Sequence, residues 1–380
     1  MHMQRTILII VAGILLLPVT ILLPRKFVAV HIEAPFATSS DSAIQAEATT
    51  TSSVVLSTSS PYTASTTKKL ATSTPTIPPK ATSTVATASS QIQIPIPPPN
   101  FDAINTAARD AIINILCTTK GGELSPISAT GIVISSDGLV LTNAHVAQYF
   151  LLQNFLQKDF LKCIARTGSP AYPKYNLELV YIPPKWVADN KDLLLEQNPT
   201  GTGENDFAFV RITSMIDGSS LPAAFPHIPP TTSELIPLGE PVLLASYPAG
   251  FLGGLSVLQD LSITSAIAKV SELFTFSNGS IDLISVPGTV VSQKGSSGGA
   301  VVDINGSLLG TIVTSTDGST TADRDLRAIT SAYVSRQLES ELNLTLSQFM
   351  AQDIADFAKK FQAINAPTLT KIIETELLKN

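Results

Sequence analysis

The chain has 380 residues and a mass of 40.1 kDa, room for one large domain or two ordinary ones with appendages. Only 14% of its residues are charged, against roughly 25% in an average soluble chain, and its net charge of -6 leaves no basic excess to neutralise phosphates, so no nucleic-acid partner is expected. Two cysteines exclude a disulfide scaffold and a four-cysteine zinc site. The four histidines, His2, His31, His145 and His227, have no metal-ligand spacing, so no metal is expected.

Residues 6–24 (TILIIVAGILLLPVTILLP) carry no charge and are flanked by Arg5, Arg25 and Lys26. Nineteen uncharged, mostly apolar residues suit a helix crossing the ~30 Å hydrocarbon core of a bilayer. The small-x-small pattern of a cleavage site is poorly formed around residues 27–33, which favours an uncleaved signal-anchor over residues 1–26. Residues 37–99 then hold 27 Ser or Thr among 63, with five charges and a closing IPIPPP run. Such a stretch buries too little apolar area to offset its ordering entropy and reads as a disordered linker over residues 27–100. As a coil it would hold a folded domain about 45 Å from a membrane. Its composition resembles surface stalks and points to an extracytoplasmic location for the rest of the chain.

From about Asp110 to Ala332 short Val/Ile/Leu-rich runs alternate with Gly, Pro, Asn, Asp and Ser. In VISSDGLVL an Asp-Gly pair separates two apolar runs, a strong hairpin signal. Repeated short strands predict an all-β sandwich or barrel. After Ser331 the period becomes helical, first through Tyr333, Val334, Leu338 and Leu342, then over residues 347–364, until Pro367 breaks it. This C-terminal helical extension (residues 336–380) is expected to dock on its own body, and offers a second use as a surface for oligomerisation.

Gly295-Ser296-Ser297-Gly298-Gly299 sets a serine between glycines, which permits a tight turn that exposes a nucleophilic oxygen and gathers N–H groups beside it. A Gly/Ser hairpin loop accounts for the same pentapeptide. His145 follows the strand GLVLTNA and, read alone, fits a structural histidine as well as a base. Between the two motifs Asp206 opens the apolar strand FAFVRI, where a carboxylate can accept a histidine Nδ1–H. The order His, Asp, Ser, each in a suitable setting, is more specific than any one of the three.

The segments TGIVISSDGLVLTNAHV, NDFAFVRI and GSSGGAVVDINGSLLGTIV, with LGEPVLLASYPAG between them, resemble the trypsin/chymotrypsin-like serine proteases, particularly the bacterial HtrA (Deg) branch. The resemblance spans about residues 112–334. It implies a protease domain over residues 101–335 built of two six-stranded antiparallel barrels with the site in the cleft between them. It also implies His145 as general base, Asp206 as its partner, Ser297 as nucleophile, and the Gly295 and Ser297 N–H groups as the oxyanion hole. A protein or peptide is the implied substrate, and no cofactor is needed.

The chain departs from the family's pattern at Ser296, where Asn or Asp is usual, and at Ala300, where Pro is usual. The stretch between His145 and Asp206 is long, which leaves Asp189 and Asp192 as other acids. About 45 residues follow the barrels, too few for the PDZ domain usual in HtrA proteins. The resemblance implies a substrate pocket walled by residues 291–294 and 311–315, with Val291, Thr311 and Val313 on its wall; neither segment holds Asp or Glu, so small or medium apolar P1 residues are expected rather than Arg or Lys. Cys117 and Cys163 both fall in the first barrel, as a disulfide in an oxidising compartment or as two buried thiols. The reading favoured is a membrane-anchored serine endopeptidase. The alternatives are a catalytically silent protease-fold binding module at the cell surface and a protease that cuts its own linker.

Overall fold

A computed structural model describes residues 98–379 apart from 122–123, 197–200, 277–278 and 316–319, so the expected anchor, and the linker up to residue 97, lie outside the described residues. Among the described residues no helix is long and apolar enough to cross a membrane. The first element is a helix that the strand pattern does not predict, α1 (Phe101–Ala111). Asn100 caps it by accepting the Ala103 N–H at 3.1 Å, Asp102 sits in its first turn and Arg109 in its last. Ile104, Ala108 and Ala111 form its buried stripe.

Six strands come next: β1 (Ile112–Thr119), β2 (Ile127–Val133), β3 (Leu139–Thr142), β4 (Leu161–Thr167), β5 (Tyr172–Tyr181) and β6 (Ala208–Met215). They pair antiparallel in the order β1-β2-β3-β6-β5-β4, and β4 returns to β1 to close a barrel. The Asp-Gly hairpin forms as expected: Gly138 takes φ +89°, and Ile132 and Val133 face Leu141 and Val140. Helix α2 (Ala144–Leu151) leaves the end of β3, and α3 (Pro184–Asp189) comes after β5. Cys117 and Cys163 lie directly opposite each other on β1 and β4, joined as a disulfide with their Cα atoms 4.0 Å apart.

The second half contains β7 (Pro241–Ser246), α4 (Gly254–Gln259), β8 (Thr264–Lys269), β9 (Glu272–Phe274), β10 (Leu283–Pro287), β11 (Ala300–Val302), β12 (Leu308–Ser315) and β13 (Asp325–Thr330). Here the expectation of a second six-stranded barrel needs correcting. The strands form a seven-stranded sheet, β8-β7-β11-β12-β13-β10-β9, with two edges. The cause is a bend at Val270 and Ser271. Val270 N–H donates to Glu240 O at 3.0 Å on the β7 side, and Ser271 N–H to Ser285 O at 2.9 Å on the β10 side. One run of chain thus splits into two short strands, one on each edge of a barrel-like sheet. The sheet has its own core, including Val242, Leu244, Ile284, Val286, Val301 and Ile312.

The tail forms α5 (Ser331–Leu342), α6 (Leu346–Met350), α7 (Ile354–Ile364) and α8 (Ala366–Leu377). Pro367 does not end the helical run; it occupies the first turn of α8, where its missing N–H costs no helical bond. The tail docks on its own body, as expected. Phe349 is fully buried, with its ring centroid 4.7 Å from that of Phe209 and 5.1 Å from that of Phe357. Tyr181 lies 5.7 Å from Phe361, and its hydroxyl donates to Glu341. Gln362 Nε2 donates to Leu179 O at 2.9 Å, and Thr370 Oγ1 to Leu151 O at 3.0 Å. Removing the central ring of this seam leaves a cavity that rigid strands cannot fill. Phe349→Ala should therefore lower the unfolding free energy by about 3–5 kcal/mol in urea titration, and a loss below about 1 kcal/mol would show that the tail is not integral.

Candidate active site

His145 is the second residue of α2, and its imidazole meets the turn that precedes β6. That turn is made by Gly203 at φ +87° and Asn205 at φ +57°, with the Asp206 N–H donating to Gly203 O at 3.2 Å. Asp206 Oδ1 accepts the His145 backbone N–H at 2.9 Å, and Oδ2 lies 2.8 Å from His145 Nδ1. The carboxylate thus holds both the backbone and the ring of one residue. It keeps the proton on Nδ1 and leaves Nε2 as the basic nitrogen. Asn143 contributes by donating its side-chain N–H to Asp206 O at 3.0 Å.

Burial disfavours the His145 imidazolium, but the charge of Asp206 and its hydrogen bond outweigh that penalty, and the pKa rises above 6.5. The Asp206 side chain is only 9% exposed and that of His145 25%, so the pair is shielded while the ring keeps a solvent-facing side.

The serine loop is built on a turn over residues 293–296, in which Ser296 N–H donates to Gln293 O at 3.1 Å and Gly295 takes φ +94°. A side chain at Gly295 would place its Cβ 2.7 Å from Tyr247 O. The Lys294 carbonyl accepts from Ala249 N–H at 2.7 Å. Because C=O and N–H point oppositely across a trans peptide, this turns the Gly295 N–H to the other side. Neither that N–H nor the Ser297 N–H donates to an acceptor among the described residues, so two donors stay available beside a half-buried Ser297.

Thr130 on β2 ties this loop to the first barrel. Its N–H donates to Ser297 O at 2.8 Å and its hydroxyl to Gly295 O at 2.8 Å, while the hydroxyl oxygen accepts from Tyr247 N–H at 3.0 Å. Its carbonyl accepts from Thr142 Oγ1 at 2.8 Å, three residues before His145. Gly298 sits in this contact at φ +81°; a Cβ there would fall 1.9 Å from Thr130 O and 2.6 Å from Thr142 Oγ1. The residues beside Ser297 and those leading into His145 therefore meet directly.

Ser296, a departure from the family's pattern, is fully buried. It donates to Val291 O at 2.5 Å and accepts from Ser246 Oγ at 2.9 Å, a slot built for two hydroxyls. Asp189 pairs with Lys185 on the surface at 2.5 Å, and Asp192 precedes a short turn, so Asp206 is the acid that reaches His145. Val291, Thr311 and Val313 are all buried. Val291 lies in the second core, the Thr311 hydroxyl donates to Gly299 O at 3.3 Å, and Val313 abuts Gly203. Sequence reasoning missed Thr130 and Ser246; their only signal is a buried hydroxyl on a strand, Thr130 within β2 and Ser246 at the end of β7.

Residues 129–310 match the family model of the trypsin-like peptidase domain. The crystal structure of Deg5 is similar over 62% of this chain and 90% of that chain, with 17% sequence identity and a TM-score of 0.41. No curated protein matches the chain.

The His145–Asp206 pair fixes the sign of one pH effect. A pKa above 6.5 in the folded state means that His145 contributes stability in full below the unfolded value of 6.5, and that this contribution is lost as pH rises through the folded value. In proton NMR the His145 ring should titrate above 6.5, and in Asp206→Asn, where burial acts without the carboxylate, below it. An unchanged midpoint in Asp206→Asn would sink the assignment of the pair.

Proposed function

We propose, for a chain that carries a trypsin-like peptidase domain and is a serine peptidase, that it cleaves peptide bonds with Ser297, His145 and Asp206. The observation that carries the reading is the double hold of Asp206 on His145 at 2.9 and 2.8 Å, with Thr142, three residues before His145, meeting Gly298 next to Ser297. His145 Nε2 takes the Ser297 proton as Oγ attacks the scissile carbonyl. The Gly295 and Ser297 N–H groups receive the negative charge that develops on the carbonyl oxygen. Collapse of the tetrahedral species expels the amine, protonated by His145. Water activated by the same histidine then hydrolyses the acyl-enzyme. The absence of Asp and Glu from residues 291–294 and 311–315 supports small or medium apolar P1 residues.

A fluorophosphonate probe tests the constellation, because it reports an activated serine with formed oxyanion donors. The full chain should label with one equivalent, and Ser297→Ala and His145→Ala should each lose the label. Folded but unlabelled wild-type protein would favour a binding module built on the same fold.

The proposal extends to location: residues 6–24 hold the protein in a membrane, and the linker carries the peptidase on the extracytoplasmic side. The apolar run and the buried Cys117–Cys163 disulfide support this, since such bonds persist in oxidising compartments. Labelled protein should sediment with membranes and be released when residues 1–26 are deleted. Recovery of the intact chain in the soluble fraction would overturn the anchor.

A further inference from the structure

We propose that Tyr333 is a positioning residue for this peptidase: from the start of α5 its hydroxyl grips Asn205 at two points and so holds the turn that aims Asp206 at His145. The inference rests on the triad assignment above. Tyr333 oxygen accepts the Asn205 backbone N–H at 3.0 Å, and its O–H lies 3.1 Å from Asn205 Oδ1, to which it donates. One hydroxyl thus satisfies the backbone and the side chain of the residue immediately before the acid.

Asn205 needs the grip. At φ +57° it lies in the left-handed region, which asparagine tolerates better than most residues but not freely. Asp206 is anchored on its other side by the Asn143 amide at 3.0 Å, so the turn is held at both ends by groups from outside it. Tyr333 itself is fixed. Its N–H donates to the capping Thr330 hydroxyl at 3.0 Å, its ring packs edge-on to Phe276 at 5.1 Å, and it is 2% exposed. Burial, together with the nearby carboxylates of Glu204, Asp282 and Glu341, keeps the phenol protonated, although the Asn205 backbone bond favours the phenolate. The O–H therefore remains a donor over the working pH range. The charge acting on His145 is that of Asp206.

Tyr333→Phe in the full chain keeps the ring and removes the grip. With the fluorophosphonate, the maximal labelling rate should fall about tenfold while the half-saturating probe concentration stays within about twofold, as expected when a reacting group is misplaced but binding is intact. The acid limb of the rate profile should also move to lower pH, because a loosened Asp206 supports the imidazolium less. Normal rates with an unmoved limb would overturn the proposal, even if the variant were less stable. Asn205→Gly keeps the left-handed turn and removes the Oδ1 acceptor, so it serves if Tyr333→Phe does not fold. Where both fold, the double variant should be no slower than the slower single one, and additive losses would overturn the coupling. Label retained in Ser297→Ala or His145→Ala would instead overturn the triad assignment itself.

Discussion

A buried threonine on the first barrel bonds, through its hydroxyl and its own peptide unit, to the loop that carries Ser297. The Thr130 N–H, hydroxyl and carbonyl engage Ser297, Gly295, Tyr247 and Thr142 at 2.8 to 3.0 Å, from a threonine that is itself fully buried. Each such bond adds only about 1 kcal/mol net, but breaking one in the interior strands a polar group at a cost of about 1–3 kcal/mol. The loop therefore has one conformation compatible with the barrel beneath it. Gly298 obeys the same constraint, since any side chain there would overlap the Thr130 carbonyl.

The parts legible in the sequence were those written in short stretches of it. The Asp-Gly hairpin, the strand alternation and the order of His145, Asp206 and Ser297 each depend on a few neighbouring residues. That Asp206, rather than Asp189 or Asp192, meets His145 was readable because an apolar strand follows only Asp206. The bend at Val270 was not readable, since it depends on which partner each half of the segment 264–274 finds. Helix α1 carries its own signals in the Asn100 cap, Asp102, Arg109 and the Ile104, Ala108 and Ala111 stripe, but it sits between a proline run and the first strand, where the strand pattern does not predict a helix. Pro367 was read as a stop when it is a start, an ambiguity that only the next helix resolves. Thr130 and Tyr333 were beyond reach for a single reason: Gly295 and Tyr247, which Thr130 joins, and Asn205, which Tyr333 grips, lie 117 to 165 residues from them.

The helical tail belongs to the same physics. Phe207 and Phe209, just after Asp206 in sequence, are fully buried, and Phe209 faces Phe349 of α6. The strand that follows Asp206 is therefore backed by aromatic rings from the last part of the chain. A boundary drawn at residue 335 falls inside α5, which begins at Ser331, and cuts through this packing.

The order in which the chain is made gives that arrangement a direction in time. His145 and Asp206 emerge early, with the barrel that holds them, and Ser297 much later. Tyr333, 128 residues beyond Asn205, comes after all three. A nascent chain released through Ser297 already holds His145, Asp206 and Ser297, yet the turn before Asp206 is still open on one side. The tyrosine hydroxyl that closes it arrives only with the first turn of α5.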